Sequence, residues 1–150
     1  MSAFVTKCKK GNEMKKPAEK QPQFKKNVLN AAILLAIVHS TAQANPNGAQ
    51  IVNGQVNINT STPGVMNITN SPNAIINWQN FNIQQNEITR FIQQNSQSAV
   101  LNRIVGQNPS QIMGQLLSNG HVFVINPNGI VFGANSIIDT QGLIASTLNL

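Results

Sequence analysis

The sequence predicts an all-β protein built from many short strands. Between residues 45 and 150, apolar residues recur in short blocks separated by Asn, Gly, Pro and Ser, which is the pattern of strands joined by turns. This part holds 20 Asn and 12 Gln, nearly a third of its residues. Stacked coils of a solenoid suit such a composition, because carboxamides can hydrogen-bond to the coils above and below. A disordered carboxamide-rich tract would lack the recurring apolar blocks.

The predicted strands follow the apolar blocks along the chain. Those blocks are residues 49–53, 56–58, 65–68, 74–78, 81–83, 88–92, 99–105, 122–125, 137–138 and 143–145. Alternation of apolar and polar residues in 74–78 predicts one face in the core. Residues 122–125 are apolar on both faces, which predicts a strand covered on both sides.

The first strands form a predicted cap. Residues 54–60 and 64–70 look alike and are joined by a Ser-Thr-Pro-Gly turn, so we expect two matching strands. An unpaired terminal coil of a solenoid would template aggregation. We therefore expect residues 49–68 to cap the N-terminal end of the solenoid.

One short helix is predicted within residues 108–120. Asn108 suits the N-cap, Pro109 suits the first helical position, and Asn119-Gly120 gives a C-terminal stop. Four apolar residues then share one helical face, namely Ile112, Met113, Leu116 and Leu117. The periodicity favours a helix packed over the β core rather than a partner-binding helix.

A secretory signal peptide is predicted for residues 1–44. Its extended basic n-region carries eight lysines against Glu13 and Glu19, which accounts for the whole net charge of +6. An apolar run at 31–38 follows, and Ala42 and Ala44 fit an A-x-A cleavage site ahead of Asn45. Eight apolar residues are too few for a membrane anchor. Translation could start at Met1 or Met14, and the mature chain would be the same.

The charge distribution and the scarcity of reactive side chains exclude several function classes. Residues 45–150 contain two Arg, one Glu and one Asp, so their neutrality removes the main support for nucleic-acid binding. Cys8 lies in the leader, and we expect no disulfide, metal or cofactor in the mature chain. Its acid–base candidates, Glu87, Asp139 and His121, are far apart in sequence. We therefore predict that the chain is not an enzyme.

The segment Asn126-Pro127-Asn128-Gly129 is the most informative motif. It separates the apolar runs 121–125 and 130–133, and its residues predict a strand, a tight turn and a second strand. Taken alone, such a tetrapeptide is an ordinary turn. Its context gives it further meaning.

Motifs spread over residues 45–150 carry a family resemblance. They are the start Asn-Pro-Asn-Gly at 45–48, the stretch at 77–83, the blocks at 99–106 and 108–114, and the stretch at 119–130. With the long basic leader, they resemble the two-partner secretion (TPS) domain of filamentous-haemagglutinin-like exoproteins, also called the haemagglutination activity domain. The resemblance covers essentially the whole predicted mature chain.

The resemblance implies a right-handed parallel β-helix with an N-terminal β cap. It also implies the N-terminal export domain of a large secreted adhesin-like or haemagglutinin-like exoprotein from a Gram-negative bacterium. The implied partners are the Sec machinery and an outer-membrane β-barrel transporter with periplasmic POTRA domains. Further binding to host or neighbouring cells would reside in downstream regions. By position, Asn126, Pro127, Asn128 and Gly129 match the family's NPNG export motif.

The chain departs from the best-known branch of the family. The NPNL motif of that branch is absent, and Gln-Gln-Asn-Ser at 93–96 occupies the corresponding region, as in the branch related to high-molecular-weight adhesins. The family's export domain is longer, so we expect residues 45–150 to form its N-terminal part. The alternative is a stand-alone secreted β-solenoid that acts as an adhesin or carbohydrate-binding module.

Overall fold

The computed structural model describes residues 45–148, all of them in strands, turns or irregular segments. The predicted signal peptide, including Ala42 and Ala44, lies outside this range. Over the described residues, no helix is long and apolar enough to cross a membrane. Within residues 45–148, twelve strands follow one another, with these bounds: β1 Gln50–Asn53, β2 Val56–Thr62, β3 Val65–Asn70, β4 Ala74–Trp78, β5 Ile88–Ile92, β6 Ala99–Ile104, β7 Ser110–Ile112, β8 Gln115–Ser118, β9 His121–Ile125, β10 Ile130–Phe132, β11 Ile137–Asp139 and β12 Gly142–Ser146.

The strands form three sheets that run along a β-solenoid. The first sheet has the order β1-β4-β6-β9-β12, the second β11-β8-β5-β3-β2, and the third contains β10 and β7. Each coil after β4 contributes one strand to the first sheet, and these strands pair in parallel. The all-β class and the parallel β-helix implied by the resemblance are both confirmed.

Two antiparallel strands close the N-terminal end, which confirms the predicted cap. β1 pairs antiparallel with β4, and β2 pairs antiparallel with β3. The matching segments identified in the sequence are β2 and β3, so they form a hairpin. Both edge strands carry a register irregularity. Such bulges hinder edge-to-edge pairing with another chain.

The core consists of inward side chains stacked from coil to coil. In the first sheet, buried and partly exposed positions alternate along β4 and β6, because successive side chains of a strand point to opposite faces. Parallel register then places Ala74, Val100, Val122 and Leu143 in one column. Trp78 packs edge-on against Phe81, with the ring centroids 5.9 Å apart.

The polar side chain of Asn102 lies within this apolar core. It is fully buried, and its register partners are Ile76 and Val124. Its Oδ1 accepts a hydrogen bond from Trp78 Nε1 at 2.9 Å, and its Nδ2 donates to Phe123 O at 3.2 Å. The carboxamide therefore connects the coil above to the coil below. It also satisfies the indole N–H, which would be costly to bury unpaired.

The predicted helix within residues 108–120 is wrong. That segment contains β7 and β8, separated by a corner at Met113 and Gly114. The corner brings Ile112 and Leu116 to the same interior, and this spacing imitates the face of a helix. A Cβ on Gly114 would overlap the carbonyl oxygens of Gln84 and Glu87 on the preceding coil. Pairing with strands distant in sequence therefore overrides local helical preference.

The remaining predicted strands agree with the structure, with two refinements. Residues 81–83 form no strand, although Ile83 bridges Ile112 in parallel. In β9, Val122 and Val124 point into the core, while Phe123 on the opposite face is only partly buried. The prediction that β9 is covered on both sides therefore holds only in part.

We expect Asn102→Ala to lower the free energy of unfolding by roughly 1–3 kcal/mol, because it leaves the buried Trp78 Nε1 without an acceptor. Urea denaturation followed by fluorescence of Trp78, the single tryptophan of the chain, would measure the change. Asn57→Ala is the control, since Asn57 is exposed on β2. Equal stability of the two variants would contradict the assigned role of Asn102.

We expect Gly114→Ala to destabilise the fold by about 1–3 kcal/mol or more, because the added methyl group must displace backbone of the preceding coil. Thermal unfolding monitored by circular dichroism would measure the effect. Gln111→Ala is the control. Gln111 is exposed, so this substitution should change the midpoint of thermal unfolding little. If residues 108–120 were helical instead, Gly114→Ala would stabilise the chain.

Candidate functional site

The NPNG turn (residues 126–129) forms a corner of the solenoid. β9 before it belongs to the first sheet, and β10 after it belongs to the third, so the two strands do not form a hairpin. Gly129 N donates to Asn126 O at 3.1 Å, which closes the turn. Gly129 has φ of 114°, a backbone conformation that glycine adopts without steric cost. The predicted strand, turn and strand are therefore present, joined around a corner.

Asn126 anchors this corner from the inside. Its side chain is fully buried, and its Nδ2 donates to Asn108 O and to Ser110 Oγ, each at 3.0 Å. Its Oδ1 accepts from Asn128 N at 2.9 Å and from Asn128 Nδ2 at 3.2 Å. Every polar atom of the carboxamide thus has a partner, and the turn is bound to the preceding coil.

Pro127 and Asn128 form the outer tip of the corner, and both are exposed. Asn128 Nδ2 also donates to Gly106 O at 2.9 Å, so the exposed side chain is held in one orientation. Pro127 has no backbone N–H and a restricted φ. The tip is consequently a rigid, uncharged surface, whereas Asn126 is inaccessible to a partner.

Asparagines continue along the same edge of the solenoid. Asn108 Nδ2 lies 3.5 Å from Asn80 Oδ1, and Asn80 Nδ2 lies 3.3 Å from Asn47 Oδ1. We call the set Asn47, Asn80, Asn108 and Asn128 the corner column. Asn47 belongs to a second NPNG tetrapeptide at residues 45–48, so copies of the motif stand at both ends of the column. Their identity was visible in the sequence, but their shared edge was not.

The residues that follow the predicted cleavage site are positioned by the first coils. Asn45 Oδ1 accepts a hydrogen bond from Thr89 Oγ1 at 3.3 Å, and Pro46 is buried. Asn47 N donates to Asn80 O at 3.0 Å. The first described residues therefore pack onto the solenoid.

The segment at 93–96 forms a different corner, between β5 and β6. Gln93 is buried and pairs with Asn119 of the next coil: Gln93 N donates to Asn119 Oδ1 at 2.7 Å, and Asn119 Nδ2 donates to Gln93 O at 2.8 Å. Gln94, Asn95 and Ser96 are exposed. Gln93 is therefore held by coil-to-coil bonds, and its three neighbours face outward.

The ionisable side chains of residues 45–148 do not converge on a catalytic centre. Glu87 Oε2 accepts from Gln84 N at 2.8 Å, and Asp139 shares an open groove of about 560 Å³ with Arg90. Asp139 lies on β11 of the second sheet and Glu87 directly precedes β5 of that sheet, whereas His121 begins β9 on the first. Within the described range, no cluster of three or more His, Cys, Asp or Glu could hold a metal ion.

Comparisons with known proteins agree with this architecture. The family model described as "TPS secretion domain" matches residues 42–150. The chain is similar to the crystal structure of the HMW1 secretion domain from Haemophilus influenzae, with a TM-score of 0.69 and 46% identity. That alignment covers 71% of this chain and 28% of the solved chain.

Two heme/hemopexin-binding proteins of Haemophilus influenzae are also similar in sequence. Each is 35% identical, over 130 and 131 residues respectively. In each case the alignment covers 85% of this chain but 14% of the relative, so the chain spans a small part of the relatives' length. The family model matches residues 42–150, and the described residues form stacked parallel coils that include the NPNG corner. Together with these similarities, this establishes that the chain belongs to the TPS secretion domain family.

Proposed function

We propose that this chain is the export domain of a large exoprotein and that a cognate outer-membrane transporter recognises it. The observation that carries the proposal is the family match over residues 42–150. A predicted signal peptide precedes the solenoid, so the Sec machinery would deliver the chain to the periplasm. There the POTRA domains of the transporter would bind it, and the product would reach the cell surface or the medium of a Gram-negative bacterium.

The exposed tip of the NPNG corner is the surface that we assign to this recognition. Asn126 is buried and holds the turn, while Pro127 and Asn128 face outward. Removing Asn126 would therefore disturb folding and recognition together, because its partners Asn108 O and Ser110 Oγ lie on the preceding coil. A change at Pro127 separates the two effects, since this side chain accepts and donates no hydrogen bond.

The activity of the whole exoprotein would reside outside these coils. Adhesion or haemagglutination by downstream regions is our proposal for the parent protein, and the relatives' names indicate heme and hemopexin binding for those proteins alone. The TPS secretion domain is not a catalytic family. We infer that residues 45–150 act by being recognised, because their ionisable groups are few and His121 lies on a different sheet from Asp139.

We expect the chain to appear in the culture medium only when the candidate TPS transporter is co-expressed. The measurement is the amount of secreted protein by immunoblot, with signal cleavage after Ala44 checked by N-terminal sequencing in both strains. The physical reason is that a folded β-solenoid cannot cross the outer membrane unaided. Equal release with and without the transporter, from cells that remain intact, would refute the export proposal and favour a stand-alone solenoid.

We expect Pro127→Lys to reduce transporter-dependent release about tenfold or more, because docking would desolvate an unpaired charge at the tip. The thermal midpoint of the purified chain should stay within a few degrees of the wild type, since Pro127 is exposed. Release and thermal unfolding are measured on the same variants.

Ala134→Lys is the matched control for this substitution. Ala134 is exposed at the next corner of the same coil, in a turn that Ser136 N closes by donating to Gly133 O at 3.0 Å. The control adds the same charge to a comparable turn on another edge. Normal release of both lysine variants would show that the tip does not contact the transporter. Equal loss in both would point to a general effect of charge.

A further inference from the structure

The chain contains four Asn-Gly steps, and the fold places them in two different environments. They are 47–48, 53–54, 119–120 and 128–129. Asn-Gly is the sequence in which asparagine loses its side-chain amide most readily. Glycine has no side chain to hinder the attack of the glycine backbone nitrogen on the side-chain carbonyl carbon of the asparagine. Asparagine is accordingly among the thermolabile residues of proteins. The dipeptide is the same at all four steps, so any difference in reactivity within the folded chain comes from structure.

Two of the steps are restrained at the attacking nitrogen. Gly120 N donates to Ser118 Oγ at 3.0 Å, and Gly129 N donates to Asn126 O at 3.1 Å. Their asparagines are restrained as well, since Asn119 forms two bonds to Gln93, and Asn128 Nδ2 donates to Gly106 O. Reaction at either step requires these bonds to break, so it must wait for local opening of the coil.

The other two steps lie at the N-terminal cap and are less restrained. Gly48 and Gly54 are both exposed, and among residues 45–148 neither backbone nitrogen donates to an acceptor. Asn47 is partly buried, and its backbone is paired with that of Asn80. Asn53 is exposed at the end of β1, at the register irregularity of this edge strand. Its side chain is held by one hydrogen bond, from Nδ2 to Asn73 O, while the attacking Gly54 nitrogen donates to no acceptor among residues 45–148.

We propose that Asn53 is a site of spontaneous deamidation in the folded protein, a chemical modification beyond the export role. The deprotonated Gly54 nitrogen attacks Asn53 Cγ, a new C–N bond forms, the Cγ–Nδ2 bond breaks, and ammonia leaves. Water then opens the cyclic imide to give aspartate or isoaspartate. The reaction consumes only water, and no electrons are transferred to or from another molecule.

The modification would act on the cap. Asn53 Nδ2 donates to Asn73 O at 2.9 Å, and Asn73 has a positive φ of 59° in the turn that joins β3 to β4. Deamidation replaces this donor with a carboxylate that faces the carbonyl oxygen, so an attraction becomes a repulsion. An isoaspartate additionally lengthens the backbone of β1. Both products weaken the pairing of β1 with β4.

Peptide mapping by mass spectrometry tests the proposal on the purified 150-residue chain. The folded chain is incubated in mildly alkaline buffer, and the conversion of each Asn-Gly step is followed with time. We expect Asn53 to convert first, at least about tenfold faster than Asn119 and Asn128. The same incubation in denaturing urea is the control, and there the four steps should convert at similar rates.

Two results would overturn the proposal. One is conversion of Asn119 or Asn128 in the folded chain as fast as that of Asn53. The other is that the rate at Asn53, relative to the rates at the other three steps, is the same in urea as in the folded chain. This would show that the fold does not affect the reaction. The converted fraction, separated by ion exchange, should also unfold at a lower temperature than the unconverted chain. An unchanged midpoint would contradict the assigned effect on the cap.

Discussion

Parallel stacking of one coil on the next is the constraint on which the rest of this structure depends. Strands pair at about 4.8 Å, so the nearest neighbour of an inward side chain is the equivalent position on the adjacent coil. Apolar columns such as Ala74, Val100 and Val122 satisfy this condition by packing. A polar residue satisfies it only when it finds donors and acceptors on both neighbours. Asn102 does so through Trp78 and the Phe123 carbonyl.

The same condition explains why this chain uses so much asparagine and glutamine. A carboxamide carries both a donor and an acceptor, so it can bond to the coil above and the coil below without charge. The Asn119 carboxamide binds the backbone N–H and the backbone carbonyl of Gln93 on the preceding coil in this way. Charged groups could not serve as well, because burial penalises an unpaired charge far more than an amide. The neutrality of residues 45–150 is thus consistent with their architecture.

At the NPNG corner, stacking gives the proposed recognition surface its rigidity. The buried Asn126 is bound to the preceding coil, and the exposed Asn128 is fastened to Gly106 O. A tip that is already ordered loses little conformational freedom when a partner binds it. The NPNG motif can therefore serve both the fold and the proposed recognition. Its inward residue, Asn126, holds the turn, while Pro127 and Asn128 remain available to a partner.

Local sequence determined most of the strands of this protein and its NPNG turn. Short apolar blocks located most of the strands, and Asn, Pro and Gly located the NPNG turn, because turn conformations depend mainly on the residues within them. The sequence motifs also placed the chain in its family. None of these inferences required knowledge of distant contacts.

Only the tertiary structure decided the state of residues 108–120 and the burial of each asparagine. Ile112 and Leu116 are spaced as on a helix face, yet a corner at Gly114 produces the same spacing in two strands. Asn126 and Asn128 belong to one tetrapeptide, but one is buried and the other exposed. The partners that decide these outcomes lie about twenty to thirty residues away in the chain. Local periodicity cannot reveal these distant partners, because coil-to-coil hydrogen bonds form only after the chain has turned back on itself.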